Sequence, residues 1–257
     1  MSRLPYLRAG SGPVLVLVHG YLGGAAQWVD EIETFQKDFD VIAPSLPGFG
    51  EAAHLPACGT IHEMAVAVLE LLDELEVTDY ILLGHSMGGQ IAQEMSALRP
   101  GMVNKLILYG TGPVGLMPDR FEPITVSKER LQRDGVAKTI ERIAATWFKD
   151  GENAAGYAKL VEIGSLTNPE AALLGLDAMA GWDGREAMST LTMPTLVIWG
   201  DSDRSYRWPQ VESLWQGIPS VDLCVVPKAS HAVHLEKPKL FHSIIGDFLD
   251  GSYDGKS

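Results

Sequence analysis

The stretch Gly84-His85-Ser86-Met87-Gly88-Gly89 constrains this chain more than any other. It follows the apolar run Tyr80-Ile81-Leu82-Leu83 and precedes a helical run that begins Gln90-Ile91-Ala92. A serine on a tight strand-to-helix turn is pushed clear of the sheet, with its hydroxyl presented outward. Such a turn needs small neighbours, and Gly84, Gly88 and Gly89 supply them. Ser86 is therefore a candidate nucleophile. On its own the pattern is weak, because a serine can simply sit in a turn. Its weight depends on whether a base, an acid and an oxyanion site accompany it.

The rest of the chain supplies a sheet to carry that turn. Val14 to His19 is a continuous β-branched and apolar run, as expected for a strand buried on both faces. Strands are also predicted over Asp40 to Pro44, Tyr80 to Leu83, Val103 to Tyr109, Thr195 to Trp199 and Val221 to Val226. Helices are predicted near Gln27 to Phe35, over Ile61 to Leu75, Gln90 to Leu98 and Pro238 to Leu249. Thr60 and Glu63 stand in a capping-box relation at the start of the second of these. Met1 to Gly12 is short and broken by Pro5, Gly10 and Gly12. Gly251 to Ser257 reads as a frayed polar tail. Strands alternating with helices predict an α/β fold with a mostly parallel sheet covered on both faces. Residues 112–191 break the rhythm, with helical stretches near Glu129 to Phe148 and Ala155 to Ile163 and no good strand. The expected organisation is one compact unit. A core spans 1–111 and 192–257, and 112–191 forms a helical cap over the strand ends, where open α/β sheets bind ligands.

Composition narrows the partners. The chain has 257 residues, 46% hydrophobic and 21% charged, with a formal net charge of −13. Nucleic acid and anionic membrane both call for a basic surface, so neither is expected as a partner. No run approaches the roughly 18 apolar residues of a membrane span, and no apolar stretch near the start resembles a signal peptide. A cytoplasmic protein is the default expectation. Cys58 and Cys224 are too few for a disulfide framework or a metal cluster, and Cys224 reads as a small core residue.

Ser86 needs a base. Of the seven histidines, His231 is placed best, in the loop between the last strand and the final helix. His85 adjoins the serine, so the turn should aim it elsewhere. His234 lies near a helix start, and its structural role outweighs a catalytic one, as it does for His19. The orienting carboxylate follows Thr195 to Trp199, with Asp203 and Asp201 both in reach. The developing oxyanion needs two amide donors. The amide of Met87, just after the nucleophile, is one. The amide of Tyr21, in His19-Gly20-Tyr21-Leu22-Gly23-Gly24, is the other.

Taken together, His19-Gly20, Gly84 to Gly89, Gly200-Asp201-Ser202-Asp203 and Ser230-His231 with Glu236-Lys237-Pro238 resemble the α/β-hydrolase superfamily across nearly the whole chain. The resemblance implies Ser86 as nucleophile, His231 as base, Asp203 rather than Asp201 as acid, and the Tyr21 and Met87 amides as the oxyanion hole. Ser230 stands where such chains usually carry glycine. Arg130, Arg133-Asp134-Gly135, Trp147-Phe148 and Gly181-Trp182-Asp183 resemble the helical cap of 3-oxoadipate enol-lactonase-like hydrolases, while His19-Gly20-Tyr21 is closer to small carboxylesterases. The implied reaction is serine hydrolysis of a small carboxylic ester or lactone, with no metal or organic cofactor. Superfamily dehalogenases and epoxide hydrolases use an aspartate nucleophile, which Ser86 argues against. Carbon-carbon bond hydrolysis, cofactor-free perhydrolysis and a small-molecule receptor with vestigial turnover are the other outcomes this scaffold allows.

Trp147, Phe148 and Trp182 either line an apolar acyl pocket or form the cap's own core, since pockets and cores share composition. Tyr206 and Val233 complete the candidate substrate contacts. Arg204 and Arg207 follow the acid loop and could bind a substrate carboxylate, although solvated surface arginines are the commoner outcome.

Overall fold

A computed structural model describes residues 4–116 and 122–250. The tail 251–257 lies outside them. Seven strands form one sheet: β1 (Tyr6–Gly10), β2 (Val14–Val18), β3 (Asp40–Pro44), β4 (Tyr80–His85), β5 (Val103–Tyr109), β6 (Thr195–Gly200) and β7 (Val221–Val226). Their order is β1-β3-β2-β4-β5-β6-β7. All neighbours are parallel except β1 and β3.

Strand β1 is not among the strands predicted from the sequence. It runs antiparallel to β3, from Tyr6 opposite Pro44 to Gly10 opposite Asp40. Its residues are mostly half-buried or exposed, so it carries none of the apolar signal of a central strand. Arg8 fastens it to β3 through two hydrogen bonds to Asp40, at 2.9 and 2.6 Å.

Helices cover both faces. They are α1 (Val29–Phe35), α2 (Ile61–Glu74), α3 (Met87–Leu98), α4 (Ile124–Trp147), α5 (Tyr157–Ser165), α6 (Pro169–Ala180), α7 (Trp208–Gly217), α8 (Val233–Glu236) and α9 (Pro238–Leu249). The two-residue period of a strand divides the core. Val16 and Val18 face Met64 of α2 and Ile91 of α3. Leu15 and Leu17 face the other way, toward Ile32 of α1 and Phe241 of α9. Cys224 on the edge strand β7 is half-buried and packs against the core cluster that holds Val226 and Phe241.

Helices α4, α5 and α6 lie between β5 and β6 in the chain, and Leu131, Ile140, Leu160 and Leu176 join them to the same core cluster as α2 and α3. Gly135, with φ 79° and ψ 173°, interrupts α4. The strand order reverses between β2 and β4. Chain leaving β2 turns toward β3, whereas chain leaving β4 builds outward to β7. The crevice at such a reversal is where an open α/β sheet receives a ligand. Ser86 follows β4, and the loop 19–24 follows β2. The fold thus brings both to one crevice.

The capping box of α2 forms as the sequence predicts. Thr60 Oγ1 accepts from Glu63 N at 3.0 Å, and Glu63 Oε2 accepts from Thr60 N at 3.1 Å. Replacing Thr60 by alanine should cost about 1 kcal/mol, lowering Tm by roughly 2–4 °C. Calorimetry of Thr60→Ala beside the parent checks this, and an unchanged Tm would show that the cap carries no stability.

Candidate active site

The serine turn is built from close backbone approaches. A Cβ at Gly84 would collide with the carbonyl of Gly88, and one at Gly88 with the carbonyl of Val18. A Cβ at Gly89 would meet the Thr111 side chain at 2.5 Å. Ser86 itself sits at φ 57° and ψ −119°, a region that costs an L-residue on the order of 1–3 kcal/mol. Three bonds hold it there. Ser86 N donates to Tyr109 O at 2.9 Å, Gly89 N donates to Ser86 O at 2.9 Å, and Thr111 Oγ1 donates to Ser86 O at 2.8 Å.

His231 occupies the loop between β7 and α8. Its Nδ1 donates to Asp203 Oδ2 at 2.8 Å, and both side chains are buried. Asp203 Oδ1 accepts from the amides of Ser205 (2.7 Å) and Tyr206 (3.2 Å). Asp201 faces solvent and binds Lys228 N and the Ser202 hydroxyl instead. The backbone of His231 is fixed as well. Its carbonyl accepts from Tyr109 OH at 2.8 Å and from His85 Nε2 at 3.2 Å. Tyr206 lies nearly parallel to the His231 ring, 17° apart in plane and 5.9 Å between centroids. Trp147 stands 5.9 Å from it on another side.

Ser86, His231, Tyr21, Trp147 and Leu160 line one small cavity. It offers about 10 Å³ to a water-sized body, room for about one water. Gly20 is required at its rim, because a Cβ there would come within 2.9 Å of Ser86 Cβ. Met87 opens α3, so its amide is one of the helix N–H groups without an intrahelical partner. Tyr21 is buried, and its hydroxyl donates to Ala172 O of α6 at 2.7 Å.

His85 is among the residues that line the cavity, and its ring is stacked on Tyr109 with centroids 4.4 Å apart. His234 borders the same cavity and contacts the Tyr109 hydroxyl through Nδ1 at 3.0 Å. His19 braces its loop, with Nδ1 donating to Gly20 O and Nε2 accepting from Leu46 N. Burial removes water from all three rings and favours their neutral forms. It pushes His19 down to about 4, His234 down to about 3, and His85 well below the ordinary imidazole value.

Three of the expected substrate contacts lie outside the lining of this cavity. Phe148 is buried beneath Gly156, outside the cavity lining. Val233 packs with Trp28 and Phe241 in the core on the far side of the sheet, because the first turn of α8 carries it inward. Trp182 lines a separate groove with Val114, Arg185 and Gln210, and its Nε1 donates to Glu94. Of the remaining two, Trp147 is at the cavity, while Tyr206 meets His231 without lining it. Arg204 and Arg207 are exposed and outside the cavity lining. Sequence reasoning missed Leu160 and Gln27, which line the cavity. Leu160 lies on a predicted helix, but nothing in the helical period says which face meets the serine. Among the described residues, no cluster of three or more His, Cys, Asp or Glu side chains is placed to hold a metal ion. No helix there is long and apolar enough to cross a membrane.

Comparison with known proteins agrees with this architecture. A pimeloyl-[acyl-carrier protein] methyl ester esterase of Vibrio parahaemolyticus is 31% identical, over 96% of this chain and 98% of its own. A thermophilic esterase from Thermogutta terrifontis, solved with malate bound, superposes with a TM-score of 0.87 at 26% identity, over 96% of this chain and 93% of its own. The enol-lactonase from Burkholderia xenovorans LB400 shares the fold at a TM-score of 0.86 and 22% identity, over 96% of each chain. The alpha/beta hydrolase family matches residues 15–244, and the chain belongs to that family.

Proposed function

We propose that this chain is a serine hydrolase of a small carboxylic ester or lactone, working through an acyl-enzyme. One observation carries the reading. Ser86 and His231 border the same small cavity, and His231 is held from behind by Asp203 at 2.8 Å. With Nδ1 donating to a carboxylate, Nε2 carries the lone pair that takes a proton.

In this reading Ser86 Oγ attacks the carbonyl carbon as His231 Nε2 removes its proton. The carbonyl oxygen gathers charge against the amides of Tyr21 and Met87, each such donor contributing about 3 kcal/mol to the transition state. The tetrahedral species collapses, His231 protonates the departing alkoxide, and the acyl group remains on Ser86. Water, deprotonated by His231, then releases the acid and restores the serine. Asp203 holds the tautomer and stabilises the imidazolium. The helical insertion 112–191 acts as the cap, contributing Trp147 and Leu160 to the cavity. The methyl ester esterase at 31% identity supports ester chemistry. The likeness to the enol-lactonase speaks for the fold alone.

The decisive experiment is turnover of short p-nitrophenyl esters and small lactones, with Ser86→Ala as control. The variant should lose about 10⁴-fold or more in kcat. Comparable turnover by the variant would remove Ser86 from the chemistry. The lactone-to-ester ratio of the parent then selects between the two substrate types. Asp203→Asn should lose about 10⁴-fold by favouring the wrong tautomer, whereas Asp201→Asn should stay within a few-fold of the parent.

The pH profile offers an independent check. Burial favours the neutral forms of His19, His85 and His234, and the base in this reading is His231. A proton on Nε2 blocks the base, so kcat/KM should rise with pH along a single ionisation between about pH 5 and 8. A flat profile across that range would discard His231 as base.

A further inference from the structure

The walls of the cavity bear on which acyl groups the site accepts. On the insertion side they are Trp147, at the end of α4, and Leu160, in the middle of α5. Leu22, from the loop after β2, also lines it. All three are buried.

Neither insertion wall is free to retreat. The carbonyl of Trp147 accepts from Ala232 N at 3.0 Å, one residue beyond His231. Glu236 ties the same two segments together. Its Oε1 accepts from Lys149 N at 2.6 Å, and its Oε2 accepts from Ser230 N at 2.5 Å. Drawing Trp147 away from Ser86 would therefore pull on the loop that holds His231. Helix α5 is seated closely at both ends. A Cβ at Gly156 would meet Leu235 Cβ at 2.8 Å. One at Gly164 would meet Ile140 at 2.5 Å and Leu22 O at 2.7 Å. Leu160, between those two glycines, is held against the cavity by backbone contacts at either side.

The leaving alcohol has to depart to solvent, whereas the acyl group stays on Ser86 through the second half of the reaction. The close-walled space beside the serine suits the part that stays. We infer that this space is a rigid short-acyl subsite, selecting esters of two- or three-carbon acids, with Leu160 as the residue that sets the limit. The inference rests on the serine-hydrolase reading above and adds the substrate class.

The test holds the leaving group constant and varies the acid. Wild type is assayed on p-nitrophenyl acetate, butyrate and octanoate, beside Leu160→Ala, Leu160→Val and Ser86→Ala, with Tm measured for each. Wild-type kcat/KM should fall about tenfold or more from acetate to butyrate, and further to octanoate, since each misfitted methylene costs on the order of tenfold or more. The butyrate-to-acetate ratio should rise about tenfold in Leu160→Ala and about threefold in the gentler Leu160→Val, by the same methylene scale. Octanoate turned over as well as acetate by wild type, or a ratio unmoved in both folded variants, would overturn the subsite while leaving the hydrolase reading intact. Acetate turnover retained by Ser86→Ala, or no turnover of any ester by wild type, would overturn the underlying reading and the subsite with it.

Discussion

Everything at this site depends on the backbone of Ser86 being held where an L-residue does not rest by itself. The conformation is maintained by crowding. Strand β4 and helix α3 approach so closely that the carbonyls of Gly88 and Val18 lie where side chains would otherwise be. Tyr109, at the end of the next strand, and Thr111, just beyond it, then pin the serine's own amide and carbonyl. The strain is local, and the sheet on which it rests is buried on both faces. A rigid scaffold of this kind can hold an unfavourable torsion because relaxing it would unpack a strand or a helix.

A second constraint joins the two halves of the chain. His231 is held through its ring by Asp203 and through its carbonyl by Tyr109 and His85. Its loop is also bonded to the end of α4 through Ala232 and Glu236. The element that shapes the cavity and the element that would move the proton are thus one mechanical unit. Tyr21 does the same on the other side, carrying a candidate oxyanion amide while its hydroxyl reaches α6. In the proposed mechanism a displaced insertion would disturb base and oxyanion donor together.

Much of this was legible in the sequence, and the pattern of success has physical reasons. Central strands such as Val14–Val18 and Asp40–Pro44 announce themselves because both faces are apolar or β-branched. The edge strand Tyr6–Gly10 does not, because exposure admits Arg8 and punctuation by glycine. The pairing of His231 with Asp203 rather than Asp201 followed from the resemblance, since two carboxylates two residues apart look alike to composition. Helix existence was readable in the insertion, but helix orientation was not. Phe148 and Trp182 are as aromatic as Trp147, yet Trp147 alone of the three borders the cavity. Which aromatic borders the cavity is decided by tertiary contacts at Ala232, Glu94 and Gly156, far away in sequence. His85 shows the same limit, since adjacency to Ser86 says nothing about the ring that stacks on it from β5.

The buried imidazoles have a consequence for the whole molecule in acid. An unfolded chain takes up protons on its histidines below about pH 6.5. In the folded chain His19, His85 and His234 resist protonation because burial disfavours the charged ring. Between those limits the unfolded state binds more protons, so the stability these three rings lend is complete above about pH 6.5 and drains away as the pH falls toward 4 and 3. The packing that keeps a crowded histidine cluster uncharged therefore leaves the fold sensitive to acid at its centre rather than at its surface.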